Sequence, residues 1–253
     1  MFFFKLFLPT MVIFQLNFIS FVEAQENGPI IQTIEQEPYG FVNSAGEQDG
    51  YLYKVAELIL KQAGYVTKPQ AVPVNRLIKN LKVGNSTCIL AAKSPFVKEH
   101  FEPIEDIGHT IEVGFMPRKG IELNGYEDLK GLRIAIPAGM TIGNPFDEDQ
   151  SLTKINTPDY KRGVLLLSRG DIDVVVGAIE SIKYSALFVS GKPSHLLGEP
   201  HIINSFPMSL TCRKQLKDNP VVMRLKLATK SLREDGITKM VISEFFSTDP
   251  VSH

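Results

Sequence analysis

A mixed α/β fold built on mostly parallel sheet is what this sequence predicts, and three observations carry that reading. Short runs that are apolar throughout, TCILAA (87–92), LRIAI (132–136) and IDVVV (172–176), read as strands covered on both faces. Segments with apolar residues at helical spacing lie between them, several closed by a glycine. Strands and helices alternate along the chain instead of segregating, the pattern of a parallel sheet flanked by helices.

The first 24 residues, MFFFKLFLPTMVIFQLNFISFVEA, stand apart. They carry one early cation, Lys5, a long apolar stretch, and Val22 and Ala24 at the −3 and −1 positions of a cleavage site before Gln25. This is the pattern of a secretory signal peptide over residues 1–24; against a retained membrane anchor stand Pro9, Gln15, Asn17 and Ser20, which interrupt the apolar run. No cysteine follows for lipid attachment, so a soluble mature protein is expected.

Ile30 to Ile34 reads as the first strand, and EPYGF (37–41) as a Pro/Gly loop bearing two aromatics. In GYLYKVAELILKQAG, Leu52, Val55, Ala56, Ile59, Leu60 and Ala63 recur at helical spacing and Gly64 supplies the stop. Asn75 reads as the N-cap of a helix over 76–83 with Leu77, Ile78 and Leu81 inward and Gly84 as terminator. After the strand at 87–92 come a short helical turn over 126–131, the strand at 132–136, and the exit Pro137-Ala138-Gly139-Met140-Thr141. Thr157-Pro158 reads as a cap and first helical residue for a helix running to Gly170, followed by the strand at 172–176. Asn219-Pro220 repeats that signal for a helix to about Asp235, and a last helix carries Ile237, Met240, Val241 and Phe245.

Lys+Arg 27 against Asp+Glu 28 gives a net charge of −1, which argues against a nucleic-acid partner. His100, His109, His195, His201 and His253 have no ligand spacing, so no metal or cofactor is expected, and no G-x-S-x-G or phosphate-binding loop pattern occurs. Cys88 and Cys212 are the only cysteines; they fit one disulfide in an oxidising compartment and fit two buried thiols equally well.

The order of EPYGF, GYLYKVAELILKQAG, NRLIKNLKVGNSTCILAA, YEDLKGLRIAIPAGMT, LSRGDIDVVVGAIES and SLREDGITKMVISEFF resembles the type II periplasmic solute-binding proteins. The resemblance is to bacterial family 3, which includes polar amino-acid receptors of ABC importers, and it covers nearly all of residues 28–246. It implies two lobes, each a mostly parallel sheet flanked by helices, joined by two crossings near His109 to Val113 and Asn204 to Pro207. Lobe one would be 28–110 plus 206–248 and lobe two 111–205, with the ligand in the cleft between them. It further implies a monomeric, non-catalytic periplasmic receptor that closes on a small polar solute, with an ABC permease or a membrane sensor as partner; a cleft enzyme of dehydratase type, with Glu180 as its acid or base, is the remaining alternative.

Receptors of that family clamp an amino acid with an arginine after the lobe-one strand and an aspartate closing the lobe-two strand. Here KSPFVKEHF (93–101) contains no arginine, Lys98 being the nearest cation, and the aspartate position falls on Ala178. A zwitterion in the usual pose would leave two desolvated charges unpaired. The resemblance therefore implies a retained slot without its ionic pair.

The expected ligand-facing residues lie at strand exits, because parallel sheets bind ligands beyond the carboxyl ends of their strands. Tyr39 and Phe41 either stack on a ligand or seal the lobe edge. Ala92, Lys93 and Ser94 form the lobe-one exit, with Lys93 either replacing the missing cation or facing solvent. Arg76 either enters the cleft or pairs at the surface. Gly139, Met140 and Thr141 resemble a glycine-threonine helix start that offers backbone N–H groups to a carboxylate, or make a plain turn. Ala178 closes the lobe-two strand, and Glu180 is either a substitute ammonium partner or a helix-start carboxylate.

Overall fold

The structure, a computed structural model, describes residues 28–247; the expected signal peptide lies outside the described residues. Among the described residues no helix is long and apolar enough to cross a membrane.

In chain order the elements are β1 (Ile31–Ile34), β2 (Phe41–Val42), β3 (Gln48–Asp49), α1 (Tyr51–Gln62), β4 (Gln70–Val72), α2 (Val74–Val83), β5 (Cys88–Ala92) and α3 (Pro95–His100). There follow β6 (Glu102–Pro117), β7 (Arg133–Pro137), β8 (Thr153–Thr157), α4 (Tyr160–Ser168), β9 (Val174–Ala178), α5 (Ile179–Ser190), β10 (His201–Cys212), α6 (Pro220–Glu234) and α7 (Ile237–Ser247). The three doubly apolar runs are the strands β5, β7 and β9.

Two N-caps differ from expectation. The second helix starts at Val74 behind Pro73, whose φ of −53° and extended ψ of 142° serve as the entry, so Asn75 sits inside the first turn and caps nothing. The fourth is capped by Asp159, whose carboxylate accepts from Arg162 N at 2.7 Å, not by Thr157. Thr157 precedes a proline, which disfavours helical backbone there, and it ends β8 instead. At α6 the expected Asn219-Pro220 cap is present, with Asn219 Oδ1 accepting from Val221 N at 2.9 Å.

Eight strands form one sheet in the order β4-β1-β5-β10-β6-β9-β7-β8. Its flanks are parallel blocks, β4-β1-β5 and β9-β7-β8, joined by the long antiparallel pair β10 and β6. Pairing runs from His201↔Phe115 to Cys212↔Glu102, with register shifts at Ile202/Asn204, Pro207/Ser209 and Leu210/Thr211. Such irregularities bend a ribbon and sharpen its twist, which lets one pair of strands serve two differently oriented blocks.

Cys88 and Cys212 face each other across β5 and β10 and form a disulfide, with both residues fully buried. At the end of β9, Gly177 takes φ +139°, and a side chain there would strike the Tyr160 hydroxyl. That hydroxyl accepts from Ala178 N at 2.9 Å, so the glycine lets a tyrosine of α4 brace the strand exit. Burial, offset by the hydrogen bond from Ala178, pushes the Tyr160 phenol up to about 12.

Candidate functional site

A cavity of about 520 Å³ opens where β1, β5 and β9 end, between the two parallel blocks. Ile34, Gln36 and Tyr39 line it from the β1 exit, Leu90, Ala91, Ala92 and Ser94 from the β5 exit, and Ala178 and Met140 from the opposite block. The first turn of α2 and residues Phe96 and Val97 of α3 complete the wall, with Ile111 and Met208 contributed by the crossing strands. A larger depression, about 600 Å³, lies over the outer face of α1 around Glu47, Asp49, Lys54 and Glu57. It is far from any parallel-strand exit and its Lys54 and Asp49 pair with each other at 3.0 Å, so the strand-end cavity is the better candidate.

The β5 exit is shaped by the backbone. Lys93 N donates to Pro207 O at 2.9 Å and Ser94 N to Ala92 O at 2.7 Å, turning the chain sharply into α3. Ser94 then caps that helix, its Oγ accepting from Val97 N at 3.3 Å. Opposite, Tyr39 is 3% exposed, meets Tyr51 edge-on with ring centroids 5.5 Å apart, and its buried hydroxyl lies beside Ser181 and Glu180. Burial, seconded by the Glu180 charge, pushes its phenol well above the usual tyrosine range, so it stays protonated as a donor.

Of the eleven expected residues, Tyr39, Ala92, Ser94, Met140 and Ala178 line the cavity. Phe41 is buried instead between Tyr184 and Phe245, at ring distances of 6.3 and 6.4 Å. Arg76 is exposed on α2. Lys93 turns away to Asp106, at 2.6 Å. The expected helix start at Gly139 to Thr141 is absent: Gly139 (φ +77°) makes a turn with Met140 N donating to Pro137 O, and Gly139 and Thr141 are exposed. With no helix there, no set of aligned N–H groups faces the cleft from that loop.

Glu180 also points elsewhere. In the first turn of α5 it accepts from the Tyr51 hydroxyl at 2.7 Å and pairs with His109 Nε2 at 2.9 Å, while Tyr51 Oη lies 3.2 Å from the same histidine nitrogen. Tyr51 is fully buried, and burial pushes its phenol well above the usual range, with Tyr39 and Glu180 adding to the effect. This Tyr51–His109–Glu180 cluster joins α1, β6 and α5. Three further contacts tie the β1 exit to the opposite block: Gln36 Nε2 to Ser181 Oγ at 3.0 Å, Ser181 Oγ to Glu37 O at 2.8 Å, and Lys161 to Glu37 at 2.8 Å.

Sequence reasoning missed Gln36, Val74, Ile111 and Met208 as lining residues. Gln36 was within reach, since β1 ends two residues earlier and parallel-strand exits face ligands. Ile111 and Met208 had no local signal; their place follows from the pairing of β6 with β10.

Solved structures place this arrangement. A mutant of ArgBP from T. maritima superposes with a TM-score of 0.69 at 20% identity, covering 87% of this chain and 95% of that one. The fold is that of the type II periplasmic binding proteins. Other chains with this periplasmic-binding-protein fold match similarly. The GluR0 ligand-binding core from Nostoc punctiforme in complex with L-glutamate gives a TM-score of 0.68 at 18% identity, with 87% and 100% covered. A histidine kinase sensor domain described as similar to periplasmic binding proteins gives 0.68 at 17%, with 88% and 97% covered. No family model matches the sequence, and no curated protein matches it. Among the described residues no three His, Cys, Asp or Glu side chains are grouped to hold a metal ion.

Proposed function

We propose that this chain is a periplasmic solute-binding protein that captures a small solute in the strand-end cavity and presents it to an ABC-type importer. The observation that carries the reading is the position of the cavity: it sits at the carboxyl ends of parallel strands from two blocks that β6 and β10 join. Residues 28–110 plus 206–248 would move against 111–205 about His109 to Val113 and Asn204 to Pro207, which pair with one another in mid-ribbon. Closure driven by ligand requires tighter binding to the closed form, so a bound solute raises the melting temperature and lowers the radius of gyration. A screen of amino acids, amines, amides and small carboxylates by thermal shift and small-angle X-ray scattering tests this; no compound moving either quantity would refute it.

The buried Cys88–Cys212 disulfide agrees with an oxidising compartment and the leader over 1–24. A monomer without catalytic activity is the accompanying expectation, with Glu180 held by Tyr51 and His109 instead of facing the cavity. The structural similarity to a histidine kinase sensor domain supports a second reading, a periplasmic module presenting its closed form to a signalling protein. Affinity capture with the closed form separates them, recovering a permease in the first case and a sensor in the second.

A further inference from the structure

We infer that the cleft takes a neutral, predominantly apolar small molecule, and that it rejects free amino acids. This rests on the solute-binding reading above and names the chemistry of its ligand. None of the residues lining the cavity is Asp, Glu, Lys, Arg or His. Three neighbouring sets of ionic groups are engaged with one another, Lys93 with Asp106, Glu180 with His109 and Tyr51, and Lys161 with Glu37, while Arg76 is exposed at the mouth. The walls are Ile34, Leu77, Ile78, Leu90, Ile111 and Met208, and the volume of about 520 Å³ is on the scale of sites that enclose a drug-sized ligand.

An ammonium and a carboxylate entering this space would shed water and meet no counter-charge. At the β5 exit the N–H groups of Lys93 and Ser94 are spent on Pro207 O and Ala92 O. The first turn of α2 does offer N–H groups at the mouth, but Val74, Asn75 and Arg76 are exposed there and water competes for them. Apolar walls edged by Gln36, Asn75 and Ser94, with no charged side chain among them, select for shape and hydrogen bonding, not for charge.

The test uses N-phenyl-1-naphthylamine, a neutral fluorescent probe with one N–H, titrated into the wild-type protein, Ala92→Phe and Val74→Trp. Both substitutions fill the cavity from positions that are not deeply buried, so loss of binding in a variant with an unchanged far-ultraviolet spectrum reports the site itself. We expect saturable one-site binding to the wild type, weakened at least tenfold in both variants. N-acetyl-L-leucine N-methylamide should displace the probe on the order of a hundredfold better than L-leucine, the same side chain with its charges restored. Displacement and a raised melting temperature with L-leucine, L-glutamate or L-arginine would overturn the inference and leave the solute-binding reading standing. Undiminished probe binding in both variants would also overturn it, by placing the probe elsewhere. Absence of binding by the probe, the amide and every amino acid, with no compaction in scattering, would remove both.

Discussion

Replacing Glu180 with glutamine should open the molecule. The carboxylate takes the Tyr51 hydroxyl at 2.7 Å and His109 Nε2 at 2.9 Å, with side chains 22% and 17% exposed at Glu180 and His109, so solvent screens the contact only partly. Hydrogen bonds to a charged group contribute about 1.5–3 kcal/mol each where desolvated. The amide keeps an acceptor for Tyr51 but loses the charge toward His109, so a net loss of about 2 kcal/mol is reasonable. In the proposed division Tyr51 belongs to the 28–110 part and Glu180 to the 111–205 part, so most of that loss would fall on the closed form. About 2 kcal/mol corresponds to a shift of roughly thirtyfold in the closed-to-open ratio. Small-angle scattering of the ligand-free protein should show a larger radius of gyration for Glu180→Gln and apparent solute affinity should fall. A double-mutant cycle with Tyr51→Phe should return a coupling of about 1 kcal/mol or more. Unchanged scattering and affinity, together with additive single effects, would show that the cluster does not hold the two parts together.

Reduction of the disulfide, or Cys88→Ser with Cys212→Ser, should destabilise the protein by about 4–5 kcal/mol in chemical denaturation, because the bridge closes a loop with a sequence separation of 124. Asp173, 12% exposed in its side chain, is held below the usual carboxylate range first by hydrogen bonds from the Arg133 side chain, at 2.9 Å. A lowered folded-state value means that its stabilisation is fully present above about pH 4 and is lost as pH falls through the folded value. Acid titration of the wild type against Asp173→Asn should therefore show the two stability curves converging below about pH 4, with the variant about 1–3 kcal/mol weaker at neutral pH. Gly177→Ala forces a side chain at φ +139° into the Tyr160 hydroxyl and should cost about 2–4 kcal/mol, read as a lower melting temperature. Tyr160→Phe, which removes the bond to Ala178 N, should cost less, and a double variant no better than Gly177→Ala alone would show that backbone conformation dominates.

Much of the architecture was legible in the linear chain because its signals are local. Continuous apolar runs identified β5, β7 and β9, helical spacing with a terminal glycine identified α1, and Asn219-Pro220 identified the start of α6, since each depends on residues within one turn or one strand. Exit positions Tyr39, Ala92, Ser94, Met140 and Ala178 at the cavity followed from a rule about parallel strands. What only the tertiary structure decided is where the charges go. Lys93 turns to Asp106 and Glu180 to Tyr51 and His109, partners 13 residues or more away in sequence that chain folding alone brings into hydrogen-bonding distance. The placement of Ile111 and Met208 at the cavity and the pairing of Cys88 with Cys212 likewise wait on the register of β10 against its neighbours, which no short stretch of residues specifies.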